Sequence, residues 1–261
     1  MNGCICVLCS NCNDINKKIL EKLYKETNNT NIDLYLLFDE TNHKITEFNE
    51  FKKYNSYIFT YTDLIRKYDL LRSPRFDTVG YVGNTPYPFI DFASSHGYDY
   101  YMFYEDDMLY TGNIAELFNN LIKSNHNVYY PETPINDDLN IWFWSRKGYN
   151  RHPEYVTDYD LIHHVLNMYI IDKYTANTLN IELKTKRWFG HHEWIIPTMI
   201  KFKELSVKIF NEKLKKCYQY TKEEHILKRI KDEDNDIIFE NSLYHPVKSI
   251  SLLNRILSKS N

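Results

Sequence analysis

The sequence has 7 glycines in 261 residues, and none falls into GxGxxG or GxxxxGK[ST]. The two common backbone cradles for nucleotide phosphates are therefore unsupported, and any nucleotide has to be held by other means. Apolar runs of the ~18 to 20 residues that cross a bilayer are missing. Met1–Leu8 has neither the basic start nor the long apolar core of a signal peptide, so the reading is a cytoplasmic protein with no membrane span. Excess charge of either sign is missing too. Against 35 Asp and Glu stand 32 Lys and Arg, a formal net charge of -3 that offers no electrostatic case for nucleic acid.

Cysteines number 5, an odd total that argues against a secreted disulfide framework. Four of them, Cys4, Cys6, Cys9 and Cys12, crowd the start and raise the question of zinc. Structural zinc sites usually combine two near ligands with two from a distant segment, whereas Cys4-Ile5-Cys6-Val7-Leu8 reads as a buried strand using Cys as a small hydrophobe. What the chain does have is apolar and aromatic material, 43% hydrophobic residues and 23 Tyr. That is enough for a real core in one compact unit, with rings that serve packing or stack on a sugar or base.

The stretch Tyr98 to Met108 organises the rest. Tyr100 to Tyr104 is apolar or aromatic throughout, as in a strand buried on both faces of a largely parallel sheet, and it stops on Glu105-Asp106-Asp107. Ligand crevices of open α/β sheets lie beyond such carboxyl ends. Three adjacent carboxylates repel one another unless a divalent cation, hydrogen bonds or solvent offset the charge; a solvated acidic turn is the competing reading.

Around it the periodicity gives strand Ile5–Cys9, a helix through Ile15, Ile19, Leu20 and Leu23 capped by Asp14, and strand Ile32–Phe38. Strand Tyr57–Tyr61, a helix Leu64–Leu71 capped by Thr62-Asp63, and a helix Tyr87–Ser95 closed by Gly97 come next. After the acids follow a helix from Ile114 to Ile122 and strand Val128–Tyr130. The segment from Pro131 to Tyr155 changes texture, with Ile141-Trp142-Phe143-Trp144 suited either to a sugar face or to core packing. His163-His164, read as helical, point to different faces and are set aside as ligands. Strand Met168–Ile171 and helix Tyr174–Leu179 lead to a helix through Met199, Ile200 and Phe202. Pro197 is allowed only in that helix's first turn, so Glu193 sits at its N-terminus, where the positive end favours an ionised carboxylate able to act as a base. Lys203 to Asp236 reads as charged and mostly helical, followed by strand Ile237–Phe239, an extended His245 before Pro246, and a helix Ile250–Leu257.

Taken in order, these pieces resemble the glycosyltransferases of the GT-A fold, which use nucleotide-sugar donors. Tyr101–Asp107 resembles their hydrophobic strand with a DxD motif, Glu193 their acid at the head of a helix, and Tyr244-His245-Pro246-Val247-Lys248 their late His with a nearby Lys. The resemblance implies an α/β/α sandwich with a mostly parallel central sheet: one domain, with a nucleotide-sugar-binding half at 1–110 and an acceptor and catalytic half at 111–261. It implies Mn²⁺ or Mg²⁺ held by Asp107 and His245, Lys248 on the diphosphate, and Glu193 as the base of an inverting transfer. The motif's first acid is Glu instead of Asp, a departure that sets Glu105 apart from the ion as a donor-binding residue, with Asp106 facing the ribose or the donor sugar. Ser10, Asp39 and Tyr61 fall where base and ribose belong. Arg75, in Arg72-Ser73-Pro74-Arg75, either reaches the diphosphate or is solvated. The implied partners are a nucleoside-diphosphate sugar, with UDP favoured, and a glycan or other hydroxyl acceptor. Two alternatives stay open. One is a metal-dependent phosphohydrolase or nucleotidyltransferase that adds His191-His192-Glu193 to the acids as ligands. The other is a non-catalytic carbohydrate-binding protein on the same fold.

Overall fold

Cys4, Ile5, Cys6 and Val7 present no polar face, so they form a strand that is buried on both sides. The computed structural model describes residues 1–68, 86–131, 153–157, 160–164, 166–186, 188, 190, 192–210, 214–216, 218–220, 227–229 and 240–259. In chain order the elements are β1 (Gly3–Cys9), α1 (Asp14–Thr27), β2 (Ile32–Asp39), β3 (Asn55–Phe59), α2 (Tyr61–Tyr68), α3 (Pro86–Ser95), β4 (Tyr100–Glu105), β5 (Leu109–Tyr110), α4 (Ile114–Ile122) and β6 (Val128–Pro131). They continue with β7 (Met168–Asp172), α5 (Lys173–Thr185), α6 (His192–Phe202), β8 (Val207–Phe210), β9 (Leu214–Lys216), β10 (Tyr218–Tyr220), β11 (Leu227–Arg229), β12 (Leu243–His245) and α7 (Ile250–Lys259). Two short 3₁₀ turns, Ile45–Glu47 and Asn49–Lys53, lie between β2 and β3.

The central sheet has 7 strands in the order β3-β2-β1-β4-β7-β6-β8. All its pairings are parallel except those of β7, which runs against both β4 and β6. From β1 the chain works outward to β2 and β3, then returns to place β4 on the other side of β1. The strand order therefore reverses between β1 and β4, and a crevice opens at their carboxyl ends. Alternate strand residues feed two cores. Val7, Met102 and Tyr104 pack with α1, α4 and α7, while Cys6, Tyr101 and Phe103 pack with α2, α3, α5 and α6. The expected α/β/α sandwich with a mostly parallel sheet is the observed architecture.

Several local expectations shift for physical reasons. The N-cap of α1 is Asn13, not Asp14: its side chain accepts from the Ile15 and Asn16 amides at 2.9 and 3.0 Å, and Asn16 reciprocates. Gly97 takes no positive φ, because the last carbonyls of α3 already have a partner in the Lys173 ammonium, which reaches Ala93, Ser94 and His96. Within the segment read as mostly helical after Lys203, the described residues form strands β8, β9, β10 and β11, because β6, β12 and one another offer backbone partners. The strand expected at Ile237–Phe239, the loop bearing Arg75 and the aromatic run Trp142–Trp144 lie outside the described residues.

Candidate active site

The three acids leave β4 in different directions because consecutive side chains alternate faces. Glu105 shares the face of Phe103 and α6, whereas Asp106 turns toward α1. A turn closed by the Met108 amide on the Glu105 carbonyl at 3.2 Å then carries Asp107 round. The opposite wall comes from far along the chain. β12 pairs antiparallel with β5, Tyr244 opposite Leu109, and the Val247 amide donates to the Asp107 carbonyl at 2.7 Å. This pairing delivers His245 and Lys248 to the acids.

His245 Nε2 lies 2.7 Å from Glu105 Oε2 and 3.3 Å from Asp107 Oδ1, and the Lys248 ammonium contacts Asp107 Oδ2. Ligand atoms of Glu105, Asp107 and His245 all lie within 4.8 Å of one another. Among the described residues they are the one group of three or more His, Cys, Asp or Glu so arranged. The three side chains converge, so Glu105, set apart by the motif departure, stands in the cluster beside Asp107 and His245. Two carboxylates and an imidazole form a donor set that fits Mn²⁺ or Mg²⁺.

The same groups also offset one another's charge. Burial by itself would raise the Asp107 carboxyl, but the His245 hydrogen bond and charge and the Lys248 ammonium outweigh it and hold it at about 2. Burial likewise opposes a charged His245, yet Glu105 and Asp107 lift its imidazole to about 10. Proton and ammonium thus stand where a divalent cation would put its charge, and cation binding requires His245 to give up its proton.

Asp106 is built differently. Burial first, then the charge of Asp107, raises its carboxyl to about 7, and the Asn16 amide donates to its Oδ2 at 2.8 Å. Because Asn16 also bonds the Asn13 amide at 2.6 Å, Asp106 is tied to the β1–α1 turn across the crevice. A carboxyl raised in the fold contributes stability below its unfolded pKa of about 4, and that contribution is lost as pH climbs through about 7. Without divalent cations, wild-type stability should therefore fall between pH 5 and pH 8 by about 2–3 kcal/mol more than that of Asp106→Asn, whose neutral amide oxygen still accepts from Asn16. Urea denaturation at the two pH values measures this. Equal slopes in both proteins would refute it.

Glu193 lies in the first turn of α6, as expected, although Pro197 sits farther into that helix than the first turn. The carbonyl left without a helical donor is that of Glu193, four residues before Pro197, and it accepts from the His164 amide at 3.0 Å. That bond explains how the proline is accommodated. Its carboxylate, 3% exposed, accepts from the Leu166 amide at 3.2 Å and lies 3.4 Å from His163 Nε2. The His163–His164 segment is not helical, so the two rings are not held to opposite faces of a helix; His163 also meets Trp194 at 5.1 Å between centroids. His192 points toward the acids, with Nε2 3.9 Å from Glu105 Oε1, and burial lowers its pKa so that the ring stays neutral.

Ser10 is exposed at the carboxyl end of β1, beside the crevice. Asp39 and Tyr61 lie farther along the same edge and are joined through Thr41. Asp39 Oδ1 accepts from the Thr41 amide at 2.9 Å, and Thr41 Oγ1 accepts from the Tyr61 amide at 2.9 Å. Asp39 is buried, and burial raises its carboxyl despite the Thr41 hydrogen bonds.

No family model matches the sequence, and no curated protein matches it. Solved structures do match its shape. An active-site mutant of LgtC superimposes with a TM-score of 0.50 over 98% of this chain and 95% of that one, at 8% identity. The fold is GT-A-like. Galactosyltransferase LgtC in complex with donor and acceptor sugar analogs aligns at a TM-score of 0.45 and 8% identity over 82% of this chain and 75% of that one. A putative nucleotide-diphospho-sugar transferase from Desulfovibrio desulfuricans G20 aligns at 0.44 and 10% identity over 81% and 80%. In this GT-A-like frame the acids sit at the end of the fourth strand and His245 follows near the chain's end. Asn16, His163 and Asn167 entered no sequence reading of the site. Asn16 and Asn167 follow no motif, and the one signal for His163, the adjacent histidine pair, points to different faces only in a helical geometry that the chain does not adopt.

Proposed function

We propose that this protein is a metal-dependent glycosyltransferase that moves a sugar from a nucleoside-diphosphate sugar, UDP favoured, to an acceptor hydroxyl. The observation that carries the reading is the convergence of Glu105, Asp107 and His245 at the reversal point of a GT-A-like sheet, with Lys248 beside them. Divalent cation bound by these side chains would supply positive charge to the departing diphosphate. Lys248 would leave Asp107 to meet a phosphate oxygen, Arg75 would reach the diphosphate, and Ser10, Asp39 and Tyr61 would bound the base and ribose. Asp106, held by Asn16, would present its carboxyl to the ribose or donor sugar.

In the inverting form of this reading Glu193 takes the proton from the acceptor hydroxyl, with His163 and the Leu166 amide fixing the carboxylate. A second form is favoured by one observation: the Glu193 carboxylate is nearly fully buried and already holds the Leu166 amide. In that form it positions the segment leading into β7 and takes no proton.

The experiment is incubation with a panel of nucleotide sugars, with and without Mn²⁺. Cation-stimulated release of nucleoside diphosphate, with the sugar transferred or hydrolysed, is the expected result. Release of inorganic phosphate or pyrophosphate would favour the phosphohydrolase or nucleotidyltransferase alternative, and no turnover with any donor would favour the binding protein.

A further inference from the structure

Asn167 immediately precedes β7 and faces the end of β4. The Glu105 amide donates to its backbone carbonyl at 3.1 Å. Its side chain is 6% exposed and reaches into the acidic cluster: Nδ2 lies 2.7 Å from Glu105 Oε2 and 3.3 Å from His245 Nε2. The other end of the amide, Oδ1, is buried and has no hydrogen-bond partner. A buried amide oxygen without a partner costs about 1–3 kcal/mol, so an asparagine placed this way calls for a second role.

One cation chemistry fits both ends of the amide. When Glu105 and a protonated His245 hold the site, the amide N–H end satisfies the Glu105 carboxylate. With a divalent cation between Glu105, Asp107 and His245, a neutral amide oxygen becomes a good ligand, because hard cations take Asn carbonyl oxygens alongside carboxylates. A half-turn about the last side-chain bond exchanges the two ends without moving the backbone. We propose that Asn167 supplies its side-chain oxygen as a fourth protein ligand to a divalent cation at Glu105, Asp107 and His245. The inference rests on the metal-dependent reading above and adds to it a neutral ligand from the residue that enters β7, a segment that carries none of the motif residues. A neutral oxygen also completes the shell without adding a third negative charge.

The competing role is that of an N–H donor that only orients Glu105, and the two roles differ in sign when the amide becomes a carboxylate. Mn²⁺ binding to the purified chain is measured by calorimetry and by the loss of the free-ion electron paramagnetic resonance signal, with no nucleotide present. Wild type should bind and Asp107→Ala should not. Asn167→Ala should bind about tenfold or more weakly, and Asn167→Asp, which keeps an oxygen at the same place and adds charge, at least as tightly as wild type. Thermal melts in EDTA show that each variant is folded, and the near-isosteric Asp variant keeps the test open if Asn167→Ala is not. Unchanged affinity in Asn167→Ala would overturn the ligand role and leave the metal site standing. Weakening in Asn167→Asp as severe as in Asn167→Ala would overturn it in favour of the N–H donor. No Mn²⁺ binding by wild type would overturn the metal reading itself, and the ligand role with it.

Discussion

Asp107→Ala should abolish the stimulation of donor turnover by Mn²⁺ while leaving the protein folded. Asp107 makes two of the cluster's ionic contacts. It meets His245 and Lys248 and belongs to the one cluster of possible metal ligands among the described residues. Stabilising the charge of a leaving diphosphate is worth several kcal/mol, so loss of the ion should lower turnover by about 10³-fold or more. The fold should survive because Asp107 is tied to the β12 side by its backbone carbonyl, which accepts from Val247 and is untouched by the substitution. Nucleoside diphosphate release is measured across an Mn²⁺ titration. Wild-type metal stimulation in Asp107→Ala would remove Asp107 from the metal shell.

Glu193→Gln should keep donor binding and lose transfer by about 10² to 10⁴-fold, the range for removal of a general base. The substitution suits the site, since the Gln oxygen can still accept from the Leu166 amide that now meets Glu193 at 3.2 Å. What it removes is the ability to take a proton. Donor binding by calorimetry and sugar transfer by product analysis separate these effects, and proton NMR of the product anomer reports whether the centre inverts. Transfer at the wild-type rate would assign Glu193 to holding the segment before β7, where its burial already engages it.

Much of the fold was legible because its strands are short apolar runs and its helices amphipathic. The strand Tyr100–Tyr104, the helix Ile114–Ile122 and the final helix each sit within a few residues of where their patterns put them. Three differences share one cause, a distant partner. The pattern makes Gly97 a cap, but Lys173 from α5 reaches the α3 carbonyls instead. Proline geometry alone confines Pro197 to a first turn, but the His164 amide takes the carbonyl it frees. The charged segment after Lys203 has a composition that fits a solvated helix, yet its described stretches pair as strands with β6, β12 and each other.

The candidate site divides along the same line. From the sequence alone came a run of β-favouring aromatics stopped by three carboxylates, a glutamate at the head of a helix, and a late His with a Lys three residues on. Those are local facts, set by side-chain periodicity, proline geometry and helix polarity. Tertiary structure alone decided which acids act together. Strand alternation sends Glu105 and Asp106 to opposite faces, and the pairing of β5 with β12 carries His245 and Lys248 back to Glu105 and Asp107. The approach of β7 to β4 brings in Asn167. Such convergence rests on backbone pairing between segments far apart in the chain, and no local pattern of residue types records it.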